Sequence, residues 1–341
     1  GGVPEMAPIP ARPAASPRPG CRSRGVPGRE LVAPTVVAIL GALAYLAFPD
    51  DLAFFTRIIV AALFVMSLDL VVGYCGVATL GHAVLYGAGA YAAGILCVNG
   101  LTDPLLLIAA GSVAGVVAGL VTALVILRAH GLPQLVLSIA VVQLAYEAAN
   151  KARDITGGSD GLSGISPGPV FGLFEFDLWG RTAYVLALVL LIATLVVLRR
   201  VVRSPFGLLC RGIKQDPDRI RAIGGTIYGN LVKMYALSGA VAGLAGGLTA
   251  VTTGVVGLDS VSFEWSAEAL VMLVLGGAGT LYGALVGAVV FTGFEHYVAA
   301  VDPYHWLFVV GALLIGVVLA LPAGLGSLAA WLRRLLPQCA P

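Results

Sequence analysis

The sequence predicts an all-α polytopic membrane protein with about ten transmembrane crossings, some of them short or broken helices. Its 341 residues are 59% hydrophobic and 11% charged, whereas soluble domains carry roughly 25% charged residues. The apolar runs are long and continuous, unlike the short alternating segments of transmembrane strands. Glycine accounts for 45 residues, which suits the close approach of helices in lipid.

Composition along the chain divides it into three regions. Residues 1–30 are rich in Pro, Gly and Arg, so we expect a disordered cytoplasmic tail. We expect residues 31–322 to form the transmembrane domain and residues 323–341 a cytoplasmic C-terminal tail. The transmembrane domain then includes an outer loop, residues 149–181, and a cytoplasmic loop, residues 199–230.

Ten apolar runs are candidate spans, and all but one approach the roughly 20 residues that a helix needs to cross a bilayer. In chain order they are Leu31–Phe48, Leu52–Val72, Val77–Val98, Pro104–Leu127, Leu132–Ala148, Thr182–Leu198, Leu231–Thr253, Ser266–Leu275, Leu281–Ala300 and Tyr304–Leu321.

The placement of basic residues decides how the short run, Ser266–Leu275, is interpreted. Lys and Arg are concentrated on the cytoplasmic side of membrane proteins. Arg128, the cytoplasmic loop and Arg333–Arg334 therefore all lie inside, which requires an even number of crossings after the loop. The short run must then cross as a short or broken helix, extended by the glycine-rich residues 276–279. Both termini are predicted to be cytoplasmic.

The cytoplasmic loop is a polar island in an apolar chain. Eight of the twenty Lys and Arg residues fall between Arg199 and Lys233. Ser204-Pro205 and Asp216-Pro217 each supply a capping side chain followed by a proline at the first helical position. We expect two short helices, the second ending at Gly224-Gly225. They leave an apolar stripe at Phe206, Leu209, Ile213, Ile220 and Ile223. An apolar stripe on a capped helix pair favours a docking element over a solvated connector.

The outer loop contains Asn150–Pro169, which is polar and rich in turn residues. A loop of this length with its own turn chemistry is more often functional than a passive connection.

Ionisable residues within or beside the spans are candidates for a solute path, because they are costly in hydrocarbon. The six are Arg57, Asp69, His82, Glu268, Glu295 and His296. Arg57 is expected to extend toward the membrane surface, and Glu295 and His296 to lie at the interface. Asp69 and His82 fit either a path or a buried hydrogen-bonded pair. Glu268 fits either contact with substrate or a cap on the short crossing.

Catalytic and metal-binding patterns are missing from the sequence. No Lys follows a Gly, so a phosphate-binding G-K-[ST] loop is excluded. The two G-x-S-x-G strings, at 157–161 and 164–168, lie in the polar outer loop and do not form the strand-to-helix elbow of a hydrolase. No H-E-x-x-H motif occurs, and the five Cys are scattered. We therefore predict no catalytic residue, no metal site and no cofactor in this chain. An intramembrane enzyme is the least favoured class.

Four motifs in order resemble the membrane permease subunits of branched-chain amino-acid ABC importers, the hydrophobic amino-acid uptake family. They are GYCGVATLGHAVLYGAGAY (73–91), ITGGSDGLSGIS (155–166), SPFGLLCRGIKQDPDRIRAIG (204–224) and EALVMLVLGGAGTLYGALVGAVV (268–290). The resemblance implies a multi-pass chain of the bacterial cytoplasmic (inner) membrane that forms half of a translocation pathway for branched-chain or related small amino acids or amides.

The resemblance also implies partners. These are a second homologous permease subunit, two cytoplasmic ABC ATPase subunits that hold ATP and Mg²⁺, and a periplasmic or lipid-anchored substrate-binding protein, with membrane lipid around them and no nucleic acid. In this chain the implied ATPase-coupling residues are Phe206, Gly207, Leu209, Arg211, Ile213, Asp216, Ala222 and Gly224. The implied pathway residues are Asp69, Gly73, Gly76, Thr79, Gly81, His82, Tyr86, Glu268, Gly276 and Gly277. Docking of the binding protein is expected at Thr156, Gly157, Gly158, Ser159 and Asp160.

Departures from the family pattern leave the substrate open. Val77 and Thr79 stand where Gln and Ser are usual, and Ala284 stands where Pro is common. Two other classes remain possible from the residues alone. A channel for a small polar solute would share the glycine-rich helices, and a proton-coupled secondary transporter could use Asp69, Glu268 and His82 as a relay. Neither needs an amphipathic cytoplasmic helix pair.

Overall fold

The computed structural model describes residues 32–170, 174, 180–301, 308 and 311. Both predicted tails and most of the predicted span Tyr304–Leu321 lie outside these residues. Within the described part the chain forms twelve α-helices, and strand pairing is limited to two isolated bridges. The helices are α1 (Val32–Ala47), α2 (Leu52–Leu68), α3 (Ala83–Val98), α4 (Pro104–Ile126), α5 (Leu132–Lys151), α6 (Arg153–Thr156), α7 (Arg181–Arg203), α8 (Pro205–Gln215), α9 (Pro217–Ala222), α10 (Ile227–Thr253), α11 (Phe263–Gly276) and α12 (Leu281–Val301).

Six helical segments in the described part are long and apolar enough to cross a membrane. They are Leu52–Tyr74, Pro104–Ile126, Leu132–Lys151, Arg181–Arg203, Ile227–Thr253 and Leu281–Ala300. Two further apolar helices, Pro34–Ala47 and Ala83–Val98, are shorter, and α11 has 14 residues. The all-helical membrane class is confirmed, and the count of about ten crossings stays a prediction.

The predicted span Val77–Val98 is wrong at its start, because α3 begins at Ala83. The preceding span, α2, continues into a π-helical segment, Asp69–Tyr74, and the chain turns at Gly76 with a φ of 74°. Residues 77–82 then continue without helical structure, with Val77, Thr79, Gly81 and His82 buried and Ala78 exposed. A backbone of this kind is tolerated at membrane depth where protein surrounds it.

Helices α2 and α10 form the centre of the bundle. In α2, 78% of the apolar window is buried, and in α10 72%, against 17% in α5. Small residues allow α4 and α10 to touch along their backbones: a Cβ at Gly115 would overlap the carbonyl oxygen of Gly239, and one at Gly239 would overlap that of Gly115. Such contact maximises dispersion between helices that lipid does not drive together.

Helices α8 and α9 form the predicted capped pair. Ser204 Oγ accepts a hydrogen bond from Gly207 N at 3.4 Å, and Asp216 Oδ1 accepts one from Arg219 N at 3.0 Å. Both caps precede a proline at the first helical position. The pair therefore folds as its local chemistry predicts, at the end of the bundle where α2 ends and α10 begins.

Candidate functional site

A cavity of about 750 Å³ lies at the end of the bundle where α2 begins and α10 ends. Its walls come from α2, α3, α7, α10, α11 and α12 and from the turn between α10 and α11. Volumes of this size are typical of sites for small ligands. Two predicted pathway residues, Tyr86 and Glu268, line it.

Charged side chains from distant parts of the sequence meet in this cavity. Arg57 Nη2 lies 3.3 Å from Glu295 Oε1, and both side chains line the cavity. Glu268 is close enough to interact electrostatically with both. Among the described residues Glu268 has no hydrogen-bonding or ion-pairing partner.

One wall of the cavity is aromatic. Trp265 stacks on Phe64 with ring centroids 5.7 Å apart and ring planes at 1°. Tyr86 packs against the same Phe64, and its hydroxyl lies 2.6 Å from Thr249 Oγ1. The Tyr86 hydroxyl is thus hydrogen-bonded, whereas Trp265 Nε1 has no partner among the described residues. The packed rings form one continuous aromatic wall.

A buried hydrogen-bond network around His82 joins three helices. His82 Nε2 lies 2.9 Å from Ser67 Oγ and 3.2 Å from Ser238 Oγ. Each hydroxyl already donates its hydrogen to a carbonyl oxygen, Ser67 to Phe64 and Ser238 to Ser67, both at 2.6 Å. His82 must therefore donate from Nε2, and its Nδ1 has no partner in the described part of the chain. His82 is therefore buried and hydrogen-bonded to two serines, and among the described residues it forms no hydrogen-bonded pair with Asp69.

Neighbouring residues extend the His82 hydrogen-bond network to two more helices. Leu80 N donates to Ser138 Oγ of α5 at 2.9 Å, and Ala83 N donates to Ser266 Oγ of α11 at 2.8 Å. Thr79 Oγ1 accepts from Gly81 N at 3.2 Å. The predicted pathway residues Thr79, Gly81 and His82 are thus buried between helices and do not line the cavity.

A second polar cluster lies at the opposite end of α2, in the π-helical segment. The buried Asp69 accepts a hydrogen bond at Oδ1 from Gly279 N at 2.6 Å, and its Oδ2 has no partner among the described residues. Gly73 is packed against both: a Cβ there would overlap Asp69 Oδ1 and lie 2.5 Å from Gly279 N. The turn between α11 and α12, residues 277–280, is thereby fastened to the end of α2.

Helix α8 is fastened to the same segment. Lys214 Nζ donates to the carbonyl oxygen of Gly73 at 2.6 Å, and the Arg211 guanidinium lies 4.8 Å from the centre of the Tyr74 ring. The Lys214 side chain also covers Gly76, where a Cβ would lie 2.8 Å from it. Both cations interact electrostatically with Asp69. Of the predicted pathway residues, Asp69, Gly73, Gly76, Gly276 and Gly277 belong to this end of the bundle.

The apolar stripe of α8 and α9 is divided between the interior and the surface. Ile213 and Ile220 are buried, and Phe206 packs against the hydrophobic core. The exposed large apolar side chains are those of Leu208 and Ile223, 58% and 73% exposed. Of the predicted coupling residues, Gly207 and Ile213 are buried, Phe206, Leu209 and Asp216 are half-buried, and Arg211, Ala222 and Gly224 are exposed.

The outer-loop motif forms a turn docked on the bundle. Thr156 is buried, and its hydroxyl donates to the carbonyl oxygen of Ala149 at 2.5 Å. Gly157 and Gly158 make the turn with positive φ, and Ser159 and Asp160 are exposed beyond it. Leu162 then pairs with Val256, with N···O distances of 2.8 and 3.0 Å. Within the motif, the exposed polar side chains are those of Ser159, Asp160, Ser163 and Ser166.

Comparison with known proteins gives the family. The family model described as "Branched-chain amino acid transport system / permease component" matches residues 52–318. The chain belongs to this permease family. That stretch includes the cavity, the His82 hydrogen-bond network, the Asp69 cluster and α8–α9, so every candidate site lies within the matched region.

Two curated relatives are named as permeases for branched-chain amino acids. They are the high-affinity branched-chain amino acid transport system permease proteins LivM of Escherichia coli (strain K12) and of Salmonella typhimurium (strain LT2). Each is 27% identical to this permease, over 283 and 282 residues respectively. The alignments cover 76% of this chain but 66%, just under two thirds, of each relative. No solved structure matches this chain.

Sequence reasoning missed part of the permease's cavity and part of the cluster that joins α8 to the π-helical segment. Arg57 and Glu295 were each expected near a membrane surface, and the structure pairs them across 238 residues of sequence. Lys214 was absent from the predicted coupling residues. The sequence signal available for the Arg57–Glu295 pair was one basic residue in one predicted span and one acidic residue in another.

In the described part of the chain, no group of three His, Cys, Asp or Glu residues is arranged to hold a metal ion.

Proposed function

We propose that this chain is the membrane-spanning permease subunit of an ABC importer for branched-chain or related small amino acids in a bacterial inner membrane. Membership of the permease family supports the class, and the names of the LivM relatives support the substrate. In this proposal a second permease subunit completes the pathway, and separate cytoplasmic subunits hydrolyse ATP.

The observation that carries the proposal is the attachment of α8–α9 to the most buried span. A connector between two spans needs no caps, no exposed apolar side chains and no tie to the interior. Here Lys214 and Arg211 hold the pair against Gly73 and Tyr74. Leu208 and Ile223 remain exposed for a protein partner. A rigid element with a free apolar face is suited to transmit movement from an ATPase.

The route of transmission follows from the contacts. Movement of α8 acts on the π-helical segment through Lys214, and that segment is bonded to the α11–α12 turn through Asp69 and Gly279. Helices α2, α11 and α12 all continue to the cavity at the other end. Nucleotide binding by an ATPase docked at the α8 end would therefore alter the shape of the cavity at the start of α2.

The outer end receives substrate in this proposal. Ser159 and Asp160 are exposed on a turn that is bonded to the chain through Leu162 and Val256. A fixed polar turn of this kind offers a rim for a substrate-binding protein. The cavity lies at the end of the bundle at which this turn joins α10.

The test is ATP-driven uptake by the complete complex. The chain would be co-expressed with the subunits encoded beside it, purified and reconstituted in liposomes that contain ATP on the ATPase side. We expect uptake of radiolabelled L-leucine that requires ATP hydrolysis and persists when a protonophore collapses the proton gradient. Uptake that needs the gradient and not ATP would support a secondary transporter instead. Absence of any copurifying ATPase would overturn the proposal.

A further inference from the structure

The cavity at the start of α2 carries an imbalance of charge. Four carboxylates line it, those of Asp259, Glu264, Glu268 and Glu295, against one cation, Arg57. The formal difference is three negative charges among the lining residues (four acidic minus one basic). Asp259 and Glu264 are exposed, whereas Glu268 and Glu295 are half-buried. Because a charge at membrane depth is costly without a counter-charge or water, the two half-buried carboxylates suit a ligand that brings positive charge.

We propose that this cavity is a binding site within the permease itself for the head group of a small zwitterion, with the ammonium on Glu268 and Glu295 and the carboxylate on Arg57. The inference rests on the proposed function for the identity of the ligand as an amino acid. The site would take primary amines with a compact apolar tail, of which a branched-chain amino acid is one.

Glu268 is the first anchor for the ammonium. In the described part of the chain it makes no ion pair or hydrogen bond, yet it lies near both Glu295 and Arg57. An ammonium between two carboxylates receives two charge-assisted hydrogen bonds and relieves their repulsion. An unpartnered carboxylate beside an existing ion pair is therefore prepared for a cationic group.

Arg57 retains capacity for the ligand's carboxylate. Its side chain is 60% exposed, and Glu295 contacts one of its terminal nitrogens. A guanidinium has five N–H donors in a planar fork, so further donors can face the cavity. The ion pair also keeps Arg57 from being an isolated cation when the site is empty.

The apolar part of the ligand has a matching wall. Val60, Ala183 and Trp265 line the same cavity as the charged groups. Trp265 is held by its stack on Phe64. A small aliphatic tail would displace water from this wall, whereas a second carboxylate on the tail would meet Asp259 or Glu264. The lining therefore selects against acidic side chains.

Three ligands of one carbon skeleton test the assignment of charges. The full chain in lipid nanodiscs would be titrated with L-leucine, with 3-methylbutylamine, which lacks the carboxylate, and with 4-methylpentanoate, which lacks the amine. We expect L-leucine and the amine to bind and the acid to bind at least tenfold more weakly. Equal binding of the acid and the amine, or no measurable binding of the amine, would overturn the proposal without any mutation.

Substitutions then separate the two halves of the head group. Glu268→Gln removes the charge at constant shape, and loss of a charge-assisted bond corresponds to about tenfold or more in Kd. We expect this loss for both L-leucine and 3-methylbutylamine. Arg57→Gln should weaken L-leucine alone. The matched control is Asp50→Asn, an exposed acid that does not line the cavity, which should change neither.

The outcomes distinguish this inference from the proposed function. Amine binding that depends on Glu268, in a complex without ATP-driven uptake, would support the binding site and contradict the importer proposal. If Glu268→Gln shows normal uptake and unchanged binding of L-leucine and the amine, the importer proposal is supported and the binding site is contradicted.

Discussion

At the scale of single residues, the buried ionisable groups occupy separate places. Asp69 is bonded to the backbone of Gly279, His82 is tied to two serines, and Glu268 faces the cavity. No hydrogen bond joins any two of these three within the described residues. A proton relay requires such a connection, so the arrangement favours structural roles for Asp69 and His82.

Gly73 provides the sharpest test of the Asp69 cluster. A methyl group at Gly73 would occupy the space of Asp69 Oδ1 and crowd Gly279 N. We expect Gly73→Ala to lower the free energy of unfolding by about 1–3 kcal/mol, as overpacking does. The measurement is thermal unfolding of the purified chain in detergent.

A matched control for this prediction is Gly293→Ala in α12, where nothing lies within 4 Å of the added carbon. Alanine is roughly 1 kcal/mol more favourable than glycine in a helix interior. The control should therefore unfold at the same temperature or slightly higher. Equal behaviour of the two variants would contradict the packing described around Gly73.

At the scale of elements, Lys214 of α8 donates a hydrogen bond to the π-helical end of α2, and Arg211 adds a contact with the Tyr74 ring. Replacing Lys214 by Met keeps the length of the side chain and removes the hydrogen bond to Gly73. A hydrogen bond to a charged group contributes about 1.5–3 kcal/mol. We expect Lys214→Met to reduce uptake per ATP hydrolysed while the ATPase still copurifies.

The control for the α8 attachment is Lys233→Met, because Lys233 is exposed on α10 and has no partner among the described residues. Transport coupled at the normal ratio in Lys214→Met would show that α8 acts without this contact. Loss of coupling in both variants would indicate that the loss of positive charge, and not of the hydrogen bond to Gly73, is the cause.

The exposed and buried faces of α8 give a second prediction for this element. Leu208→Ser removes an exposed apolar side chain and should weaken association with the ATPase about tenfold, since burial of a leucine contributes roughly 1.5–3 kcal/mol. Phe206→Ala removes a side chain that packs on the chain's own core. It should lower the thermal stability of the isolated chain, which Leu208→Ser leaves unchanged.

Copurification of the ATPase and unfolding of the isolated permease would be measured for both variants. If Phe206→Ala releases the ATPase without any loss of stability, then Phe206 is itself the contact.

The same helix pair shows what the sequence could and could not predict. Caps and prolines act on the nearest turn, so both helices and their order follow from local chemistry. Which apolar residues of the stripe face inward depends on where α8 docks, and that is set by Lys214 and Gly73, 141 residues apart. The stripe was predicted as one surface, and the structure buries Ile213 and Ile220.

The cavity was less predictable for the same reason. Tyr86 and Glu268 were identified as polar groups in apolar segments, which composition alone reveals. The pairing of Arg57 with Glu295 requires knowledge that α2 and α12 are neighbours. Periodicity and capping carry no information on which helices touch, so sequence analysis assigned the two residues separately.

At the scale of the whole molecule, the cavity and the helix pair lie at opposite ends of one bundle. The outer-loop turn lies before α7 in the chain, and α8 directly follows α7. Helix α7 has 23 residues, a length of about 34 Å at 1.5 Å per residue. This matches the roughly 30 Å hydrocarbon core of a bilayer. We therefore expect Ser159 and Leu208 to lie on opposite sides of the membrane.

The direction across the membrane follows from charge. Basic residues concentrate at the α8 end, in Arg199–Lys233, so this end is predicted to be cytoplasmic. In a chain whose native cysteines are replaced by alanine, a membrane-impermeant maleimide added to intact spheroplasts should label Ser159→Cys and not Leu208→Cys. Inside-out vesicles should give the reverse. Labelling of both positions from one side would contradict the passage of α7 through the membrane. A consistent but inverted pattern would keep the fold and place α8–α9, with its proposed ATPase contact, on the wrong side for an importer.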